Sequence, residues 1–207
     1  MAEKVLLSSA YFPPLNYLSL IYRAEKFFIE KEENYIKQTY RNRCVILTAN
    51  GPSSLSVPVL SGSPVKTTVK DIKIDYSKRW QQVHLRALIS SYKSSAFFEY
   101  YFEDIEKIIA GKPEYLIDLN YNALDTILKI LGISKPIEYT NIFEEYGKIE
   151  FDFRKSILPK KNKPGNYSQK KYYQVFSYKF GFVSGLSILD LIFNVGPDSL
   201  IYLSDNN

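Results

Sequence analysis

Val5-Leu6-Leu7-Ser8, then Pro13-Pro14-Leu15-Asn16-Tyr17-Leu18-Ser19-Leu20-Ile21-Tyr22, then Lys26-Phe27-Phe28-Ile29-Glu30, read in order as strand, helix and strand. The first run is short and apolar, as a buried strand is. Pro13-Pro14 opens a helical pattern on Leu15, Leu18, Ile21 and Tyr22, and proline is tolerated in a first helical turn. Phe27, Phe28 and Ile29 make the third piece a second buried strand. Two strands joined by a helix within about 25 residues predict a parallel βαβ unit. The fold class expected is α/β: an N-terminal, mainly parallel βαβ-type sheet with a largely helical C-terminal half.

Outward from this unit, residues 44–47 and 55–59 read as two further strands, with Asn50-Gly51-Pro52 as the turn signal between them. Residues 69–74 alternate and are expected to form another strand. Ser77 is placed to cap a helix running to about Tyr92. Residues 97–109 and 115–131 predict two more helices. In the second, Leu116, Leu119, Ala123, Ile127 and Leu131 share one apolar face, and Gly132 stands where a C-terminal cap belongs. Residues 182–194 are apolar nearly all round, which predicts a buried helix. The organisation expected is one domain over 1–207, sheet-rich over 1–76 and mainly helical over 77–207.

The chain has 207 residues, with 45% apolar and 24% charged, close to globular averages. Its 27 basic and 22 acidic residues give 27 − 22 = +5. Seven of the basic residues, and no acidic ones, fall in 154–171, a loop candidate with Pro159, Pro164 and Gly165. That segment could draw in a polyanion or simply be a solvated surface. The single Cys44 excludes an intramolecular disulfide, and with one histidine, His84, it excludes a Cys/His zinc cluster. No metal site is expected and no cofactor is named. The longest apolar stretch, 180–203, is broken by Asp190, Asn194, Gly196, Pro197 and Asp198, so no membrane span is expected. The lack of an export signal and the single thiol suit the cytoplasm. Tyrosine is abundant, 18 residues, which suits either a stacking surface or half-buried packing.

Four places could carry chemistry. The polar cluster 30–43 follows a strand, and α/β sheets bind ligands beyond the carboxyl ends of their strands. There Lys37, Arg41 and Arg43 could hold phosphate or carboxylate, and Glu30, Glu32 and Glu33 could act as bases or ligands; a charged loop of weak ion pairs is the plain alternative. The junction Ala10-Tyr11-Phe12-Pro13-Pro14 offers backbone N–H groups and a helix start to an anion, or serves as a rigid turn. His84 lies four residues after Trp80, on the same helical side, with Arg86 off that side. It could be a general acid or base, or pack on Trp80. Ser187-x-x-Asp190 before an apolar run resembles a capping pair.

Ala10-Tyr11-Phe12-Pro13-Pro14-Leu15-Asn16-Tyr17, Tyr40-Arg41-Asn42-Arg43-Cys44-Val45-Ile46 and Leu55-Ser56-Val57-Pro58-Val59 resemble, in this order, segments of the WbqC-like family. Trp80-x-x-x-His84-x-Arg86 with Ser95-Ala96-Phe97-Phe98, and Leu186-Ser187-Ile188-Leu189-Asp190-Leu191-Ile192-Phe193-Asn194-x-Gly196-Pro197, resemble its middle and closing motifs. Many members carry His/Gln-Gln-Pro before the Tyr-Phe-Pro; here Ser8-Ser9 stand there. The resemblance implies a bacterial protein linked to surface-polysaccharide (O-antigen) gene clusters, with glycine or aminoacyl transfer as the usual label. It implies His84, Lys37 and Asn42 as catalytic residues. Tyr11, Pro13, Arg43, Arg86 and Asp190 follow as substrate-binding residues. A second likeness is to nucleotidyltransferases of the pantothenate synthetase type, whose two-histidine turn is replaced here by Pro13-Pro14-Leu15-Asn16.

The function expected is a transferase acting on an activated aminoacyl, glycyl or nucleotide-sugar intermediate of polysaccharide assembly. The alternative is a non-catalytic protein that binds such a ligand or a polysaccharide-biosynthesis enzyme. Nucleic-acid binding would rest only on 154–171, and the mild overall charge argues against it.

Overall fold

The computed structural model describes residues 4–60, 67–143, 145, 151–159 and 169–204. Strand β1 (Lys4–Ser8) and strand β2 (Lys26–Glu30) pair in parallel, Lys4 opposite Lys26 through Ser8 opposite Glu30. Helix α1 (Leu15–Arg23) makes the crossover, burying Leu15, Tyr17, Leu18 and Ile21. A short third strand, β5 (Glu138–Tyr139), joins β2 in parallel from the second half of the chain. On the other edge, Leu6 bridges Asp152 in parallel.

Strands β3 (Arg43–Thr48) and β4 (Gly51–Ser56) form an antiparallel hairpin in a sheet of their own. Gly51 sits at φ 99°, a region glycine enters without a Cβ penalty, and the Thr48 hydroxyl closes the turn on the Gly51 carbonyl at 2.8 Å. The lone thiol, Cys44, is buried on β3, and burial pushes its pKa up to about 12. A thiol kept protonated and covered does not attack disulfide reagents. Native protein is therefore expected to resist an aromatic disulfide reagent for hours at pH 8 and to release one equivalent once denatured. Immediate reaction of the native protein would contradict this packing.

Residues 69–74 do not form the expected strand. A 3-10 turn occupies Val69–Asp71, closed by the Thr68 hydroxyl on Asp71, and only Lys73 and Ile74 make isolated bridges. Side-chain hydrogen bonding by Thr and Asp favours such turns over ladders. Helix α2 (Trp80–Tyr92) starts three residues after Ser77, whose amide is instead taken by the Asp75 carboxylate at 2.9 Å. Helices α3 (Phe98–Ala110) and α4 (Leu116–Ile130) follow the predicted spans within a residue, and Gly132 has φ 67° beyond α4. After the short α5 (Ser177–Phe180), the buried α6 (Ile188–Val195) begins only at Ile188. Gly185 at φ 77° and Ser187 as N-cap keep 182–187 out of it. Helix α7 (Ser199–Ser204) packs back on α1. Residues 160–168 of the basic segment lie outside the described residues. Arg154, at its start, is buried rather than solvated.

The two ends of the chain meet at the β1–α1 turn. Tyr11 N–H donates to the Tyr40 carbonyl at 2.8 Å. The Ser187 hydroxyl donates to the Phe12 carbonyl at 2.8 Å, and Ile188 N–H to the Pro13 carbonyl at 2.9 Å. Phe12 is fully buried at φ 39°, a costly conformation for a residue with a Cβ. These three clamps hold it there.

Candidate functional site

The carboxyl ends of β1 and β2 carry a buried polar centre. Glu30 ends β2, and both Glu30 and Glu33 are fully buried. Arg41, 2% exposed, donates from Nε to Glu33 Oε1 at 2.9 Å, from Nη1 to Thr39 Oγ1 at 3.1 Å and from Nη2 to Ser8 Oγ at 2.8 Å. Arg154 donates from Nη1 to Glu30 Oε2 at 3.1 Å and grips Asp152 with two parallel bonds, at 2.9 and 2.7 Å. The Thr140 hydroxyl and the Glu32 amide donate to Glu30 Oε1. Buried charges survive when paired and hydrogen-bonded, and each of these carboxylates is both.

Ser9 extends the centre toward α4. Asn120 Nδ2 donates to Ser9 Oγ at 2.7 Å and to the Arg41 carbonyl at 2.8 Å. A carbonyl accepts only, so this fixes the amide's orientation and leaves Asn120 Oδ1 facing no donor among the described residues. The Tyr40 hydroxyl is likewise buried with no described partner. Burial pushes its pKa up to about 12, so it stays protonated and can donate. Two small clefts meet here and share Ser9, Ala10 and Tyr17. One also holds Tyr40, Arg41 and Arg154, the other Asn120, Tyr121 and Tyr139. Each has room for a water-sized group.

A second centre joins Tyr11 to His84. The Tyr11 hydroxyl lies 3.0 Å from His84 Nδ1, and the His84 ring packs edge-on against Trp80 with centroids 5.1 Å apart. With burial keeping the Tyr11 hydroxyl protonated, it can donate to Nδ1 when the ring carries its proton on the other nitrogen. Burial lowers the His84 pKa to about 4 and raises that of Tyr11 well above its ordinary range. Both are neutral at pH 7. As the chain's one histidine, His84 gives a single imidazole signal in a proton NMR titration. That signal is expected to stay at its neutral shift down to about pH 5; a midpoint near 6.5 would show the ring solvated.

The structure brings together Tyr11 and His84 and, through the backbone clamps, Pro13 with the start of α6. It spreads the other predicted site residues. Lys37 is exposed on the loop before β3. Asn42 Nδ2 donates to the Val57 carbonyl at 2.9 Å, pinning the hairpin's end. Arg43 is half-buried on β3 opposite Ser56, its Nε without a described partner. Arg86 is exposed on α2, away from the His84 side. Asp190 is fully buried and collects hydrogen bonds from the Tyr92 hydroxyl (2.9 Å), the Tyr172 hydroxyl (2.7 Å) and Gln174 Nε2 (2.8 Å). Its Ser187 neighbour does cap α6, accepting from Leu189 N–H at 3.3 Å. Burial raises the Asp190 pKa to about 6, against the lowering effect of those three bonds. Sequence reasoning missed Tyr40, Asn120 and Asp152. Asn120 had a signal: it is a polar residue one turn after Leu116, inside an apolar helical face.

Among the described residues, no group of three His, Cys, Asp or Glu is placed to hold a metal ion. No described helix is long and apolar enough to cross a membrane. The fold and the centre define an α/β protein with its polar residues gathered at the carboxyl edge of a short parallel sheet, where such sheets bind ligands. The model of the WbqC-like protein family matches residues 8–158, from Ser8 at that edge through β5 and Arg154, and the chain belongs to this family. It is also similar to an uncharacterized protein of Mycobacterium tuberculosis, Rv1507c, with 25% identity over 234 residues covering 98% of each chain. No solved structure matches.

Proposed function

We propose that the protein is a cytoplasmic transferase of bacterial surface-polysaccharide assembly, acting on an activated aminoacyl or glycyl group or a nucleotide-linked sugar. The observation that carries this reading is the strand-end centre, where a buried acceptor (Asn120 Oδ1) and a buried hydroxyl (Tyr40) have no partner among the described residues, at the two clefts that share Ser9. Buried polar groups without partners are rare, and at the edge of a parallel sheet they suit a polar ligand. The substrate class comes from the likeness to the WbqC-like family. In this reading the Tyr11–Pro13 turn and Arg43 hold an anionic group and Lys37 offsets developing charge at the exposed rim. Asn42 orients the acceptor, Asp190 braces the site from α6, and His84, neutral and held by Tyr11, takes the proton.

A thermal-shift panel of nucleotide-sugars, acyl-CoAs, nucleotides and amino acids, with and without magnesium, tests it. Ligand at 100 times its dissociation constant stabilises by about 2.7 kcal/mol, a readable shift. With the responding donor, His84→Gln is expected to lose at least about 10²-fold in turnover while keeping its melting temperature within a few degrees. Wild-type turnover in that variant would remove the proton role. One observation favours a non-catalytic binding protein: Arg41 and Arg154 are already paired, and the clefts between them admit only a small group. A shift with no turnover, and co-purification with a glycosyltransferase, would select that reading.

A further inference from the structure

An open groove lies between β4 and the start of α2, with His84 in its lining. Ser54, Leu55, Ser56 and Pro58 form one wall, Lys78, Arg79 and Val83 the other, and Trp80 and His84 line it between them. Among these lining residues none is acidic, while Lys78 and Arg79 are exposed cations. Helix α2 has 13 residues, no side-chain cap on its N-terminal amides and no acidic residue in its first turn. Trp80 and Val83 of its first turn line the groove, so the positive helix end lies beside it. An independent feature agrees. Trp80 is 4% exposed, and its indole N–H is buried with no acceptor among the described residues. Asp75, in the preceding loop, accepts the Ser77 amide and attracts Lys78, so Arg79 is the groove cation with no acid of that loop beside it.

We propose that this groove binds a phosphate-class oxyanion presented by a small ligand, held by Lys78, Arg79, the first-turn amides of α2 and the Trp80 indole N–H. An indole N–H and backbone amides are donors that never compete as acceptors, and two flanking cations add charge-assisted bonds. This assignment stands apart from the transferase reading, since it requires binding and no turnover.

Trp80 is the chain's one tryptophan, so its fluorescence reports this groove. The intact protein is titrated with pyrophosphate and with inorganic phosphate, at constant ionic strength set with chloride. A saturable change is expected, stronger for pyrophosphate. Arg79→Gln and Lys78→Gln each replace an exposed side chain, so the fold survives, and each is expected to weaken pyrophosphate at least about tenfold. Lys93→Gln removes the same charge at the far end of α2 and is expected to change affinity less than about twofold. Trp80→Phe, read by thermal shift, is expected to lose most of the pyrophosphate stabilisation. A flat titration to about 10 mM, weaker than any millimolar complex, overturns the site. Equal weakening by Lys93→Gln and Arg79→Gln overturns it too, since diffuse charge would then suffice.

Discussion

Asp190→Ala is expected to lower the melting temperature by about 10 °C. The carboxylate sits at zero exposure with three donors converging on it: two tyrosine hydroxyls and the Gln174 amide. Alanine strands all three in the interior. Each stranded donor costs about 2 kcal/mol. Against this, the charged carboxylate is itself costly to bury: its pKa rises from 3.8 to about 6, worth about 3 kcal/mol at pH 7. The net loss is about 3 kcal/mol, and each kcal/mol moves a domain of this size by about 2–4 °C. Asp190→Asn keeps an acceptor and should lose far less at pH 7. The sign of the pH effect separates the two. A raised folded pKa means the native state holds its proton longer, so stability is highest below pH 4 and falls as pH climbs to 6. Wild type minus Asp190→Asn should therefore decline across that window and then flatten. A flat difference would show Asp190 hydrated rather than enclosed.

Arg41→Met is the second large loss, expected at about 3–5 kcal/mol in urea unfolding. Met fills much of the same space, so the cost is electrostatic. Glu33, with zero exposure, loses the guanidinium that meets it at 2.6 Å, and Ser8 and Thr39 lose a donor. Removing one partner of a buried pair is far worse than removing both. The double variant Arg41→Met/Glu33→Leu should therefore recover part of the loss, giving a coupling of about 2 kcal/mol in the double-mutant cycle. Additive losses would mean that the two side chains are not a pair in solution.

His84 works in the opposite direction from Asp190. Its pKa is lowered from 6.5 to about 4, so the unfolded chain binds the proton first, and stability falls as pH drops from 6.5 to 4. Over nearly the same window the Asp190 contribution rises. The two shifts are similar in size, about 3 kcal/mol each, and they largely cancel in the wild-type stability profile. A flat profile near pH 5 would thus hide two buried titrations that only single variants reveal.

Much of the fold was legible before any coordinates. Apolar runs of strand length, a helical repeat behind two prolines and a second apolar run are local properties, and they correctly place β1, α1 and β2. The faces of α3 and α4 were legible for the same reason. Residues 69–74 misread because a Thr–Asp hydrogen bond makes a turn of an alternating stretch. The site was less legible. Its charged cluster was visible, but Glu30 and Arg154 meet across 124 positions, and no local pattern says that a basic run will send its first arginine into the interior.

Composition and periodicity alone determined an α/β chain with a parallel βαβ start, no disulfide framework and no Cys/His zinc cluster. Only the tertiary structure decided which charges are buried, that Ser187 closes on Phe12 from the other end of the chain, and that Asp190 serves three donors in the core. Secondary structure follows from the side-chain period along one segment, which the sequence lists directly. Burial and pairing follow from which surfaces meet, and the free energy of a buried charge depends on partners that folding brings from elsewhere in the chain.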